Sequence, residues 1–554
     1  MTSSVDLIVT GGRIFTGGVD GEWASALAVS GGKIVAVGND ARILSMAEEQ
    51  TPTLDLGGKL VLPALIDVHA HLAMGGHQLA FELRFAPDSS VEDILAMVAE
   101  HASTIAPDEW VVGGIVGSSV MNHVAGGNGM REALDKAAAG RPVMLRDDSH
   151  HNRWVNSRAL ELMGVDESSS DPEGGKLVRD AAGVLTSVLW EAACPIAEDA
   201  ASASISDHDA RERTALKAAI SMMTSFGIVT IQEALASERE IRQLCRLDQE
   251  NELDARVVWS LPARTGMVTG TVGEELYAIA QEVARVRTRP GFIKIFLDGV
   301  PMTRTSALLE PYKCHAGEDP EDRGPLYWSD DELVAELERC YSLAWGAKLH
   351  ATGDRSVRQA LDAIEKVRKS HGPGPIFQIA HVAYISADDI KRFSELGVVA
   401  DASPYIWFPT PFDESISSQI PDSLVEHDWP LRDLIESGAT VAGGSDWPVV
   451  PLPNPWLAIQ TLVTRSSLDP SDPTVKNAAQ RIDVRSALDA FTAGSARAVG
   501  AADTTGRLSD GLSADFIVVD RNIFEIEATE IAGTQVLATY FEGRRVHEHP
   551  DTDL

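Results

Sequence analysis

His69 and His71 stand two residues apart at the end of an apolar run, VLPALIDVHAH. A strand's period of two turns both imidazoles to one face, where a metal ion could bridge them. Taken alone, a His-x-His pair fits an exposed strand with no ligand just as well. Three more ligand-type residues close comparable runs: His350 ends AKLH, His381 ends IFQIAH, and Asp446 lies in AGGSDWP. Nitrogen and oxygen donors without thiolates suit zinc, with manganese or iron as alternatives, and speak against a cysteine-rich structural site. Lys294 sits inside FIKIFLDG among bulky apolar neighbours, where a bare ammonium is costly. Two readings stay open for it: an ammonium paired with Asp298 or another carboxylate, or a carbamate formed with CO₂ that bridges two metals.

Such scattered residues converge only if a fold repeats the position they occupy. Compact apolar runs ending in polar residues recur at 61–71, 227–234, 255–263, 292–299, 347–354, 376–382, 397–404 and 440–448. After the second run, amphipathic patterns such as EREIRQLCRLDQ and SVRQALDAIEKVRK separate most neighbours, as repeated βα units require. The pattern predicts an α/β chain built on a (β/α)₈ TIM barrel over 61–504, with the ligand-type residues at the C-terminal ends of its strands. The gap after the first run is too long for a βα connection, so 75–215 is expected to be a large inserted, lid-like subdomain. Short β-branched runs with Gly-Gly turns at 1–60, and strand-like runs at 514–520 and 535–548, predict a composite β-sandwich domain from both termini, 1–60 and 505–554.

The chain has 554 residues, 82 acidic against 47 basic, for a formal charge of −35. That charge repels phosphate backbones and anionic membrane surfaces, which leaves a small-molecule substrate as the expected partner and nucleic acid and membrane as unlikely ones. A homodimer is left open. Four cysteines lie far apart with no CxxC spacing, as in a reducing compartment. No basic-then-apolar leader and no membrane-length apolar run occurs, so the reading is soluble and cytoplasmic.

LPALIDVHAH, RWVNSRAL, GGKLVRDAAGVLTSVLWE, FIKIFLDG, RTSALLEPY, HATGDRSV, AHVAYIS, GGSDWPV and SADFIVVD together resemble the metal-dependent amidohydrolase superfamily. Over almost the whole chain the likeness is to its YtcJ-like branch, which includes N-substituted formamide deformylases. The resemblance implies metal ligands at His69, His71, Lys294, His350, His381 and Asp446, one or two zinc ions, and a carboxylated Lys294 on the fourth strand. It also implies that His151 matches a histidine facing the substrate, with Trp154, Arg304 and Thr305 as further substrate-binding candidates. Three positions depart from the family pattern: Ala380 where Glu precedes the histidine, Ala64 for Gly, and Ser403 for Gln before proline. The first removes an orienting carboxylate beside His381.

The chemistry expected of this set is hydrolysis of an amide-type C–N bond, in an N-substituted formamide or another N-acyl or cyclic amide. Asp446 is the expected general base and acid, and His151 a donor to the developing oxyanion. Two rivals remain: decarboxylation or isomerisation at the same site, and a non-catalytic regulatory protein that retains the fold.

Overall fold

The computed structural model describes residues 5–552 except 87–88, 128, 148–151, 173–174, 192, 266–269, 315–318 and 407–415, and only the backbone at 118–119 and 191. His151 falls outside the described residues. The chain divides into two compact units, one of Met1–Leu72 with Ala219–Leu554 and one of Ala73–Ala218.

The larger unit is built on an eight-stranded sheet. Its strands are β1 (Leu65–Ala70), β2 (Ile228–Glu233), β3 (Arg256–Pro262), β4 (Thr288–Phe296), β5 (Gly346–Ala351), β6 (Phe377–His381), β7 (Val398–Ala402) and β8 (Thr440–Gly443). Each pairs parallel with its neighbour in chain order. The segment after β8 nearly closes the sheet on β1: Asp446 N donates to His69 O (2.7 Å) and His71 N to Trp447 O (2.8 Å). All eight runs read from the sequence carry a strand of this (β/α)₈ barrel. Helices follow most strands, and two of them begin where a side chain satisfies free N–H groups. Ser237 with Glu240 caps Glu238–Gln249, and Ser329 with Glu332 caps Asp330–Leu343. Ile66, Val68, Val258, Phe292, Val399 and Ala442 share one buried cluster with Ala496 and Ala498 of the helix Ala493–Ala498.

The first apolar run, expected as one strand, is two. Leu60–Pro63 pairs with Phe516–Val519 and Arg13–Phe15 in a six-stranded sheet, and the barrel begins only at Leu65. Ala64 is the joint, its N–H donating to Asp515 O before Leu65 N turns to Gly227 O. That sheet holds strands from both chain ends, whereas a four-stranded one containing Leu7–Thr10 and Ala26–Ser30 is built from residues 7–55 alone. Val9, Leu27, Val29, Val61, Phe516 and Val518 share their core.

The unit Ala73–Ala218 has a six-stranded sheet of its own, with Val143–Asp147, Asn152–Val155 and Leu185–Glu191 at its centre. Buried clusters on Leu145 and Trp154, and on Met144 and Val155, follow the alternation of these strands.

Candidate metal centre

Parallel register lines up the strand ends that carry polar residues. Phe296 pairs with His350, His350 with Ala380, and Ala380 with Asp401, while Ala70 meets Glu233 on one side and Trp447 on the other. As a result His69, His71 and Asp446, nearly four hundred positions apart in sequence, each offer a ligand atom within 4.8 Å of the others. Asp446 Oδ1 lies 3.2 Å from His71 Nε2 and 3.5 Å from His69 Nε2.

The remaining residues expected as ligands adjoin this group. Lys294 Nζ is 3.4 Å from His69 Nε2. The His381 ring is centred 4.9 Å from that of His69, and His381 Nε2 is 3.0 Å from His350 Nδ1. Asp298, proposed above as a partner for Lys294, is engaged elsewhere. Its oxygens accept from the N–H groups of Ala307, Thr352 and Gly353 and from Ser356 Oγ. It ties down the turn after β5, and Lys294 meets His69 instead.

Hydrogen bonds set which nitrogen of each ring is free. Asp401 Oδ2 can only accept, so His69 carries its proton on Nδ1 (2.9 Å) and presents the Nε2 lone pair to the centre. Lys348 Nζ donates to the same oxygen at 2.5 Å, and both partners are fully buried. His350 Nε2 donates to Gly299 O (3.0 Å), which leaves its Nδ1 lone pair facing His381. Ser403 Oγ, one of the departures from the family pattern, is 3.3 Å from His381 Nδ1 and can accept its proton. The hydroxyl thereby stands in for the orienter missing at Ala380. With these tautomers two lone pairs converge at 3.0 Å. Two nitrogens on one tetrahedral zinc, each at 2.0–2.1 Å, would be about 3.3 Å apart.

Burial keeps the imidazoles of His69, His350 and His381 neutral and able to ligate. It lowers His350 to about 4, with Lys294 adding to the effect, and His381 to about 3, with His350 adding to it. His69 is driven well down by burial and by the Lys294 and Lys348 cations. Burial opposes ionisation of Asp446, but His69, His71 and His381 outweigh it and hold the carboxyl far below its usual range. Lys294 is lowered to about 7 by burial and by Lys348. The donor set therefore suits a divalent ion preferring nitrogen and oxygen. Backbone strain marks the same place, since His381 and Asp446 hold φ of 77° and 56°.

Three residues of the centre were not singled out from the sequence: Lys348, Asp401 and Glu233. Glu233 accepts from Leu72 N (2.6 Å) and Leu235 N (2.9 Å), with Oε1 3.8 Å from His71 Nδ1. All three are polar residues within or ending apolar strands, the signal that drew attention to Lys294. The other candidates are engaged in local structure. Arg304 is bound to Asp322, Lys313 O and Gln419, and Thr305 to Val300. Thr305 also accepts through its carbonyl from Gly299 N (2.8 Å), so both residues build the loop that carries the His350 acceptor. Trp154, expected near substrate, has no exposed surface and belongs to the core of the smaller unit.

The model of the amidohydrolase family matches residues 53–547. N-substituted formamide deformylase of Arthrobacter pascens is 25% identical, with 98% of each chain covered. YtcJ of Bacillus subtilis (strain 168) is 26% identical over 97% of this chain and 98% of its own. A metal-dependent hydrolase structure from Pyrococcus horikoshii OT3 superposes with a TM-score of 0.76 at 23% identity, covering 94% of this chain and 99% of that one. With barrel, strand-end histidines and closing aspartate in place, the chain belongs to the amidohydrolase family.

Proposed function

We propose that the chain hydrolyses an amide-type C–N bond of a small molecule, an N-substituted formamide or a related N-acyl or cyclic amide. The observation that carries this is the Asp446 carboxylate, set against the Nε2 atoms of His69 and His71 at the C-terminal ends of the barrel strands. His69, His71, His350, His381 and Asp446 would hold zinc, and Lys294, as a carbamate, would join a second ion. Bound there, such an ion supplies water acidified to a pKa of about 7 and polarises a carbonyl. Asp446 is ionised and so ready to take a proton. Water adds to the carbonyl carbon, its proton passes to Asp446, and Asp446 delivers it to the departing nitrogen, giving an acid and an amine. Asp401 and Ser403 hold the rings of His69 and His381 in the required tautomers.

A cytoplasmic setting belongs to the same proposal; among the described residues the cysteines form no disulfide, and no helix is long and apolar enough to cross a membrane. Metal analysis combined with turnover of N-formyl and N-acyl amines tests the proposal. Asp446→Asn is expected to lose about 10²–10⁴-fold in kcat. Near-normal turnover with metal still bound would remove the proton-transfer role. Full metal loading without turnover of any amide would favour the regulatory reading. A carbamate resonance after supply of ¹³C-bicarbonate, lost in Lys294→Ala, tests the modified lysine.

A further inference from the structure

Beside Lys294 opens a cavity of about 420 Å³ lined by Phe296, Tyr327, Trp328, Thr265 and Arg264. Its size falls in the range of small-ligand sites. Phe296 joins it to the metal centre, its ring 4.9 Å from Lys294 Nζ and 5.3 Å from the His350 ring centre. A substrate reaching the centre on this side therefore lays its substituent against three aromatic rings.

Arg264 gives the cavity a charge. Its guanidinium lies 3.8 Å from the Trp328 ring centre, and one terminal nitrogen donates to Tyr327 O. Among the described residues no ion pair joins it to a carboxylate, the paired arginines on either side of it along the chain being Arg256 and Arg287. Glu332, which feels the Arg264 charge, spends its carboxylate on Ser329 N (2.9 Å) and Ser329 Oγ (2.7 Å). A guanidinium set over an indole and pinned at one corner has little freedom left to lose on binding and still offers N–H donors. The fork of a guanidinium matches a carboxylate. In a chain of net charge −35, an arginine with no acid partner among the described residues stands out at the wall of a cavity.

We propose that this cavity selects substrates whose apolar, ring-bearing substituent carries a carboxylate, and that Arg264 reads that carboxylate. The proposal rests on the amide hydrolysis proposed above, so its test includes a readout free of turnover. N-formylphenylalanine and N-formylphenethylamine differ only by the carboxylate. The zinc-loaded protein is expected to prefer the first by about ten- to a hundredfold in kcat/KM. Arg264→Gln should bring the ratio near one, and Arg264→Lys, which keeps charge but loses the fork, should restore part of it. Should the Gln variant not fold, the partial loss in the Lys variant decides. In parallel, calorimetry compares 3-phenylpropanoate with 3-phenylpropanol before and after chelation. Tighter binding of the propanoate that survives chelation and disappears in Arg264→Gln supports the proposal, even if neither amide is cleaved. That combination would refute the hydrolase reading alone. A preference retained in Arg264→Gln, absent from the wild type, or abolished by chelation alone overturns the proposal, because the carboxylate is then held by the metal or by nothing.

Discussion

The contact between Asp401 and its two partners allows stability and metal binding to be separated. Asp401 has no exposed surface and its Oδ2 receives both His69 Nδ1 (2.9 Å) and Lys348 Nζ (2.5 Å). Asp401→Asn keeps the shape and removes the charge. It strands the Lys348 ammonium in a fully buried position, and breaking a buried ion pair in this way costs about 3–5 kcal/mol. It also weakens the hold on His69, for which a loss of about 10–100-fold in zinc affinity is expected. Lys348→Met in the same chain removes the stranded cation. The double variant should regain most of the lost stability while its zinc affinity stays low, since nothing restores the orienter of His69. Chemical denaturation of the metal-free protein measures the first quantity, and zinc competition with a chelating dye the second. If Asp401→Asn binds zinc as tightly as the wild type, Asp401 does not orient a ligand. If the double variant is no more stable than the single one, the stranded charge was not the cost.

Ser403→Ala, which removes the hydroxyl 3.3 Å from His381 Nδ1, is expected to weaken zinc binding about tenfold in the same competition; unchanged affinity would show that His381 needs no orienter. Gly444→Ala would set a methyl 2.4 Å from His69 Cβ and 2.9 Å from His69 N, so a loss of about 1–3 kcal/mol should accompany weaker zinc binding. A variant unchanged in both would mean that this approach is not tight. In the smaller unit, burial opposes ionisation of Glu198, but hydrogen bonds from Arg146 (3.0 Å) and Arg153 (2.8 Å) outweigh it and hold its carboxyl below the usual range. A depressed carboxyl contributes stability above its unfolded pKa of about 4.3 and loses it as pH falls through the folded value. Glu198→Gln should therefore cost about 1 kcal/mol at pH 7, after allowance for solvent screening, with the difference closing below about pH 4. A difference independent of pH in denaturation curves would rule out this origin.

What could be read from the sequence follows from where each physical signal resides. The strands of the barrel declared themselves because parallel strands covered on both sides are short, continuous apolar runs, and 292–299 or 376–382 have no competing period. The joint at Ala64 did not. Leu60–Pro63 and Leu65–Ala70 are equally buried and run on through a single alanine, and only the partner strands, one from the chain's far end, tell them apart. The sheet of the smaller unit was hidden in the same way, since its strands order themselves by mixed pairing that no local pattern encodes.

Within the centre, histidines at strand ends were legible because their chemistry is rare at such positions, whereas their supports were not. Asp401 in VVADASP and Lys348 in GAKLH differ from surface residues only in being surrounded by apolar neighbours, and a charged side chain at a strand's end can equally point to water. Lys294 carried the same signal and was noticed because it lies deeper in its run. The cost of burying a charge makes the rule general: a charged residue inside a continuous apolar strand needs a partner on another strand. Lys348 finds Asp401, which finds His69. Applied to every strand at once, that requirement would have drawn Lys348 and Asp401 together from the sequence, since one needs an anion and the other a cation. The choice of His69 as the third member would still have needed the register that places β1 within reach of β7.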